Sequence, residues 1–195
     1  MKAIAAPFDR DTLVLAFSRL GDLAVQESKL VEISVYGGSA LLLTFDTRTA
    51  TRDVDAVFEA DRTFIREAAA KIAIEFGWDT SWINDGVKGY LSERDSEPAT
   101  KRLFRSFPEA GKSGLRVFVA SPQYLFAMKC LAMRIGGAES GRDIGDIRML
   151  ASSAGIRTYD EAIDIVSSYY PSARIPAKTQ FGLQEIFGTG SSGIN

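Results

Sequence analysis

The sequence contains no histidine and a single cysteine, Cys130. The lack of histidine excludes Ser-His-Asp and Cys-His catalysis, histidine general bases and zinc sites that use histidine. Any metal would therefore be held mainly by carboxylates, which favour a hard cation such as magnesium or manganese. Because a lone cysteine cannot form an intrachain disulfide, we expect a reducing, cytoplasmic environment.

Long apolar runs are also lacking. None approaches the roughly 20 residues that span a bilayer, so we expect no membrane association. The net charge of -2 gives no overall attraction to nucleic acid, although a local basic patch could still bind one. Hydrophobic residues make up 46% of the 195 residues, which is typical of a soluble domain with a full core.

The hydrophobic pattern predicts an α/β fold. Alternating apolar residues predict strands at 31–35, 53–58 and 114–121. Helical spacing predicts helices at 9–27, 64–78, 122–135, 142–155 and 159–169. The periodicity of 40–45 fits a helix or a strand, and a helix is favoured because Ser39 can cap it. We therefore expect a core over residues 1–120, a C-terminal helical part of the same unit over 121–181, and a flexible tail over 182–195.

Two acidic residues, Asp53 and Asp55, are separated by one residue in a predicted strand. Successive side chains of a strand alternate between its faces, so both carboxylates are expected on the same side. Two carboxylates this close repel one another unless a cation lies between them, and magnesium takes such oxygen ligands when it bridges protein to phosphates. A solvated outer face of a strand would give the same pattern.

The first predicted strand ends in Gly37-Gly38-Ser39. Glycine lets the backbone approach a phosphate, and the amides at the start of a following helix favour an anion. Ser39 is expected to serve as the N-cap of that helix. An ordinary strand–turn–helix junction would also use these residues. Thirteen residues separate Ser39 from Asp53, enough for a short helix and a return strand that brings the two motifs together.

The stretch GGSALLLTFDTRTATRDVDAVF, residues 37–58, resembles the signature of the DNA polymerase β-type nucleotidyltransferase superfamily. The resemblance implies a nucleotidyltransferase-type mixed sheet flanked by helices. It also implies that Gly38 and Ser39, with Gly37, bind the phosphates of a nucleoside triphosphate, and that Asp53 and Asp55 bind magnesium or manganese.

Three further stretches, WINDGVKGYL, SPQYLFAMKCLAMR and RDIGDIRML, resemble bacterial nucleotidyltransferase-like proteins related to abortive-infection toxins of type IV toxin–antitoxin systems. In such proteins a lysine after the last core strand and a later acidic residue accompany the other motifs. Lys129 matches that lysine, and either Asp143 or Asp146 matches the acid. The likeness implies a toxin-like protein with a cognate antitoxin.

Lys129 is conspicuous without the resemblance, because no other charge occurs in YLFAMKCLAM, residues 124–133. A lysine in an apolar helix needs an anionic partner or a route to water. A triphosphate would serve, and so would Asp143 or Asp146 on the next predicted helix. The spacing of these two aspartates is also typical of the polar edge of an amphipathic helix.

Many active members of the superfamily carry a third carboxylate on a later strand, and the predicted strand LRVFVA, residues 115–120, contains no acid. Two hypotheses follow. The chain is a magnesium-dependent nucleotidyltransferase that transfers a nucleoside monophosphate from a triphosphate to an RNA or protein acceptor, with Asp53, Asp55 and Lys129 as its catalytic residues. Alternatively, it is a catalytically inactive nucleotide-binding or partner-binding module on the same fold.

Overall fold

The computed structural model describes residues 7–45, 49–134, 136 and 140–188. These residues form two units, which are described separately. The first comprises the described residues up to Gly89 together with Lys101–Ala120, and the second comprises Tyr90–Thr100 together with the described residues from Ser121 onward. Within the described residues, no helix combines the length and hydropathy that crossing a bilayer requires.

The first unit contains a mixed five-stranded sheet and three helices. Its elements are α1 (Arg10–Gln26), β1 (Val31–Val35), α2 (Gly37–Thr44), β2 (Val54–Phe58), α3 (Arg62–Phe76), β3 (Ile83–Asn84), β4 (Lys101–Phe107) and β5 (Leu115–Ala120). The strand order is β3-β2-β1-β5-β4. β1 is antiparallel to β2 and parallel to β5, β2 is parallel to β3, and β4 is antiparallel to β5. The predicted α/β class with a mixed sheet is confirmed.

One face of the sheet forms the core of the first unit. Ile33 and Val35 of β1 pair with Val117 and Val119 of β5. All four side chains are at most 1% exposed. α1 packs against β4, β5 and α3 and buries Phe17 on this side. Removing these side chains from water supplies the main driving force for folding of the unit.

The second unit is helical. Its elements are α4 (Pro122–Ala132), α5 (Ser140–Ala154), α6 (Tyr159–Tyr169) and α7 (Ala177–Phe187). α4 is central because it packs against each of the other three helices. Ser121 caps α4, since its hydroxyl oxygen accepts from the Tyr124 amide at 3.3 Å. Thr158 and Glu161 form a capping box at the start of α6.

The segment Tyr90–Thr100 precedes β4 in the chain and belongs to the second unit. The amide of Ser92 donates to the hydroxyl of Tyr124 at 2.8 Å, and the hydroxyl of Tyr170 donates to the carbonyl of Tyr90 at 2.6 Å. These two buried tyrosines therefore fix the segment to α4 and to the residue that follows α6.

Helix α7 corrects the expectation of a flexible tail from residue 182. The helix continues to Phe187 and buries Thr179, Gly182 and Leu183. The hydroxyl of Thr179 donates to the carbonyl of Cys130 at 2.9 Å, which fastens α7 to α4. The remainder of the expected tail, residues 189–195, lies outside the described residues.

Candidate functional site

The chain bends sharply between β1 and α2. Tyr36 is extended, with φ of -130°, and Gly37 then takes a φ of +57°, in the left-handed region that glycine enters at little cost. The first helical hydrogen bond runs from the Ala40 amide to the Tyr36 carbonyl at 3.1 Å. The amides of Gly37, Gly38 and Ser39 therefore precede the helical ladder, and such an end favours an anion.

Ser39 is not the N-cap of α2, contrary to the prediction. The helix begins two residues earlier, at Gly37, and its N-cap is Tyr36. The side chain of Ser39 is fully buried, and its hydroxyl donates to the Tyr36 carbonyl at 3.0 Å. The hydroxyl thus holds the bend together, and the part of Ser39 that belongs to the anion-favouring end is its backbone amide.

Asp55 lies against this bend. The amide of Tyr36 donates to the carbonyl of Asp55 at 2.9 Å, which ties the end of β1 to β2. A β-carbon added to Gly37 would collide with the Oδ2 atom of Asp55 and lie 3.4 Å from its Cγ. The glycine and the carboxylate are therefore in direct contact, as the order and separation of the two motifs predicted.

Asp53 lies one residue before β2 rather than inside it, and its side chain is exposed. The hydroxyl of Thr51 donates to the Asp53 carbonyl at 3.1 Å. The carboxylate Oδ2 of Asp53 accepts a long hydrogen bond of 3.4 Å from the amide Nδ2 of Asn84. Asn84 in turn pairs with Asp55 in the parallel β2–β3 register. It therefore neighbours Asp55 in the sheet, and its side chain contacts Asp53.

Two strands flank β2, which carries Asp55: β1 on one side and β3 on the other. β5, which carries LRVFVA, lies between β1 and β4 and is two strands away from β2. β5 therefore does not adjoin the strand that carries Asp55, whereas β3 does. β3 has an amide, Asn84, opposite Asp55. The sequence signal that could have found it is the short apolar pair Trp82-Ile83 followed by the turn-forming Asn84-Asp85-Gly86.

Asp85 follows Asn84 but is engaged elsewhere. Its carboxylate forms ion pairs with Lys88 and, at 3.4 Å, with Arg66. The hydrogen bond from Lys88 is the largest influence and lowers the pKa of Asp85 below its ordinary value. Among the residues that the structure describes, no group of three or more acidic or cysteine side chains is arranged to hold a metal.

The site nevertheless suits a hard divalent cation. Magnesium is usually bound through one or two carboxylates together with water and substrate phosphates, so a third protein carboxylate is not required. Asp53 and Asp55 supply two carboxylates beside Asn84, and Gly37 keeps the approach to Asp55 free of a side chain. These residues fit magnesium or manganese.

Lys129 belongs to the second unit and contacts both aspartates considered as its partners. Its Nζ atom lies 3.0 Å from Asp143 Oδ1 and 2.9 Å from Asp146 Oδ2. Asp143 also accepts from Arg134, at 2.9 Å from Nε and 3.1 Å from the backbone amide. The sequence allowed Lys129 either an anionic ligand or an aspartate of the next helix as its partner. The structure shows two aspartates of that helix in contact with it.

The charge state of Asp143 follows from this network. Its side chain is 3% exposed, and burial by itself would raise the pKa. Hydrogen bonds from Arg134 and Lys129 outweigh that effect and lower the pKa of Asp143 to about 2. Asp143 is therefore an ionised, buried acceptor for two cations at neutral pH.

A solved structure is similar to this chain. It is the crystal structure of an antigenic nucleotidyltransferase-like protein from Paracoccidioides brasiliensis, 16% identical, and the match covers 94% of this chain and 100% of that one with a TM-score of 0.49. No protein-family model matches the sequence, and no curated protein does. At this identity and TM-score, the likeness assigns no activity to the chain.

The geometry thus brings together part of the predicted set. In the first unit, Gly37 contacts Asp55, and Asn84 pairs with Asp55 in the sheet and donates to Asp53. Lys129 is a member of an ion-pair network in the second unit. Asn84 was not assigned to the site because its importance comes from the pairing of β2 with β3, and Asp55 and Asn84 are 29 positions apart in the chain.

Proposed function

We propose that the chain is a nucleotidyltransferase dependent on a divalent cation, and that it transfers a nucleoside monophosphate from a nucleoside triphosphate to an RNA or protein acceptor. The observation that carries the proposal is the contact between the Gly37 bend and the Asp55 carboxylate. A backbone suited to phosphate and a side chain suited to a cation meet there, and a metal–triphosphate complex needs both.

Each residue of the site would have a separate role. Asp53 and Asp55 would hold magnesium or manganese, which would neutralise charge on the triphosphate. The amides of Gly37, Gly38 and Ser39 donate to phosphate oxygens. The acceptor hydroxyl oxygen forms a bond to the α-phosphorus while the bond from that phosphorus to the bridging oxygen breaks. Pyrophosphate leaves, and the proton of the acceptor hydroxyl passes to water.

Lys129 enters the proposal as a cation that neutralises charge on the triphosphate. Its contacts favour a second role, because its ammonium group already has Asp143 and Asp146 as partners. The two roles make different predictions for stability, and substitution of Lys129 separates them.

The proposal is tested by incubating the protein with each α-labelled nucleoside triphosphate, a divalent cation, and cellular RNA or protein. Asp53→Asn and Asp55→Asn should each lower label transfer at least about a hundredfold, because each loses a charged ligand of the cation. Asp11→Asn is the matched control, since Asp11 is an exposed aspartate of α1 in the same unit. Transfer at the wild-type rate by both site variants would overturn the assignment.

One observation favours an alternative function. The described residues offer the cation two carboxylates, and the neighbouring strand contributes an amide, Asn84, instead of an acid. A nucleotide-binding module without transferase activity, or a module that binds a partner protein, needs no more than this. Calorimetry with the four triphosphates and magnesium, combined with the label assay, distinguishes them: binding without transfer to any acceptor supports the module.

A toxin-like role and a cognate antitoxin are part of the proposal on the strength of the sequence resemblance alone. Expression of the chain in a bacterial host should then arrest growth, and Asp55→Asn should relieve the arrest. Normal growth at a confirmed level of the wild-type protein would contradict this part of the proposal without affecting the transferase assignment.

A further inference from the structure

Asn84 occupies the end of β3 beside both acids of the candidate site. β3 is an edge strand of two residues, and its parallel register with β2 places Asn84 opposite Asp55. The Nδ2 atom of Asn84 lies 3.4 Å from Oδ2 of Asp53. The side chain is thus next to one acid in the sheet and in contact with the other.

The orientation of the Asn84 amide is fixed from its other end. Its Oδ1 atom accepts from the backbone amide of Gly86 at 2.9 Å. A β-carbon at Gly86 would lie 3.0 Å from that oxygen, so glycine permits the tight turn. With the oxygen engaged by a donor, the amide presents its NH2 group to Asp53, and the reverse orientation would place two oxygen acceptors against each other.

We infer that Asn84 is a positioning residue that holds the carboxylate of Asp53 for a divalent cation and limits the protein charge at the cation to that of Asp53 and Asp55. This inference rests on the proposed function. An amide that donates to a carboxylate orients it without adding charge, and residues in contact with metal ligands commonly set their geometry and affinity. Two carboxylates match the charge of a divalent cation. Without a third acid beside them, the triphosphate meets no additional repulsion from the protein.

Two substitutions test the inference in opposite directions. Asn84→Ala removes the hydrogen bond to Asp53, and manganese should bind about fivefold more weakly, the change that about 1 kcal/mol gives. Asn84→Asp adds a carboxylate beside the pair, and manganese should bind at least about tenfold more tightly. The weakening tests the hydrogen bond to Asp53, and the tightening tests the limit on charge at the cation.

The measurement is titration of the full chain with Mn²⁺ alone, followed by electron paramagnetic resonance of the free ion, without nucleotide. Gln180→Ala is the control, an exposed amide of α7 in the second unit. Circular dichroism verifies the fold, and if Asn84→Ala does not fold then Asn84→Ser, which also removes the amide donor to Asp53, takes its place.

The outcomes separate the two claims. Wild-type binding that is lost in Asp53→Asn, weakened in Asn84→Ala and tightened in Asn84→Asp supports the inference. Wild-type affinity in both Asn84 variants, with loss in Asp53→Asn, overturns the role of Asn84 and leaves the proposed function standing. Absence of Mn²⁺ binding by the wild type overturns the cation site and the inference together.

Discussion

Gly37 and Asp55 touch so closely that a β-carbon at position 37 would require the Asp55 carboxylate to shift. The left-handed φ of +57° disfavours any side chain, and the position that a β-carbon would take is already occupied by the Asp55 carboxylate. A side chain at position 37 would destabilise the protein in two ways, through backbone strain and through collision with the acid. Gly77 has the same kind of φ without a described neighbour, so its substitution measures the backbone strain alone.

Gly37→Ala should therefore destabilise the protein more than Gly77→Ala. Gly77 has a similar φ of +69°, and a β-carbon there would meet no described atom within 4 Å, so its substitution costs only the backbone strain of about 1 kcal/mol. We expect Gly37→Ala to cost about 2 kcal/mol more. Unfolding in urea provides both values.

The extra cost should disappear when the acid is removed. In the double variant Gly37→Ala with Asp55→Ala, relief of the collision should give a coupling energy on the order of 1 kcal/mol or more in a double-mutant cycle. Equal destabilisation by the two glycine substitutions, with no coupling to Asp55, would show that the bend and the carboxylate do not touch.

Lys129→Met should destabilise the protein by about 2–3 kcal/mol. The substitution removes the ammonium group from Asp143 and Asp146, whose side chains are 3% and 13% exposed, and leaves Arg134 as a partner of Asp143. Lys178→Met, at an exposed lysine of α7, should change stability by no more than about 0.5 kcal/mol. If both variants have wild-type stability, the ion pairs are not structural and the role of Lys129 lies with an anionic ligand.

Asp143 should make the protein sensitive to acid in a narrow range. Its pKa is lowered to about 2 from an ordinary value of 3.8, so the unfolded state takes up the proton first as the pH falls. Its stabilising contribution, about 2 kcal/mol, is complete above about pH 4 and is lost as the pH falls towards 2. Urea unfolding of wild type and Asp143→Asn should converge over this range. A constant difference from pH 7 down to pH 2.5 would contradict the assigned pKa.

Much of the fold follows from local pattern, because buried apolar residues occupy every second position of β1, β2 and β5, and the helices α1 and α3 have clear apolar stripes. β4 gave no such signal, since Phe107 is its one fully buried residue and Leu103 is 51% exposed on an edge strand. α7 was missed because Gly182 in its middle counts against a helix. The sulfur of Met133 occupies the space where a β-carbon of Gly182 would be, so packing requires the glycine.

The site was predictable to the same extent. The order of the glycines and the two acids predicted that they lie close together. They do so because β1 and β2 are antiparallel, which places the end of β1 beside the start of β2. The position of Asn84 depends on which strand pairs with β2, and Ser39 lost its expected capping role because Gly37 turns the chain two residues earlier. The first depends on long-range strand pairing and the second on the φ of Gly37, and residue types alone determine neither.

Cys130 should be unreactive in the folded protein. The residue is fully buried in α4, and burial raises the pKa of its thiol well above the ordinary value, so the reactive thiolate is scarce and inaccessible. We expect reaction with a disulfide reagent at pH 8 to be at least about a thousandfold slower than in urea, because labelling requires the second unit to open. The matched control is Ser153→Cys in a Cys130→Ala background, since Ser153 is exposed on α5 and should react at once. Equal rates for Cys130 and the introduced cysteine would mean that the packing around α4 is not maintained in solution.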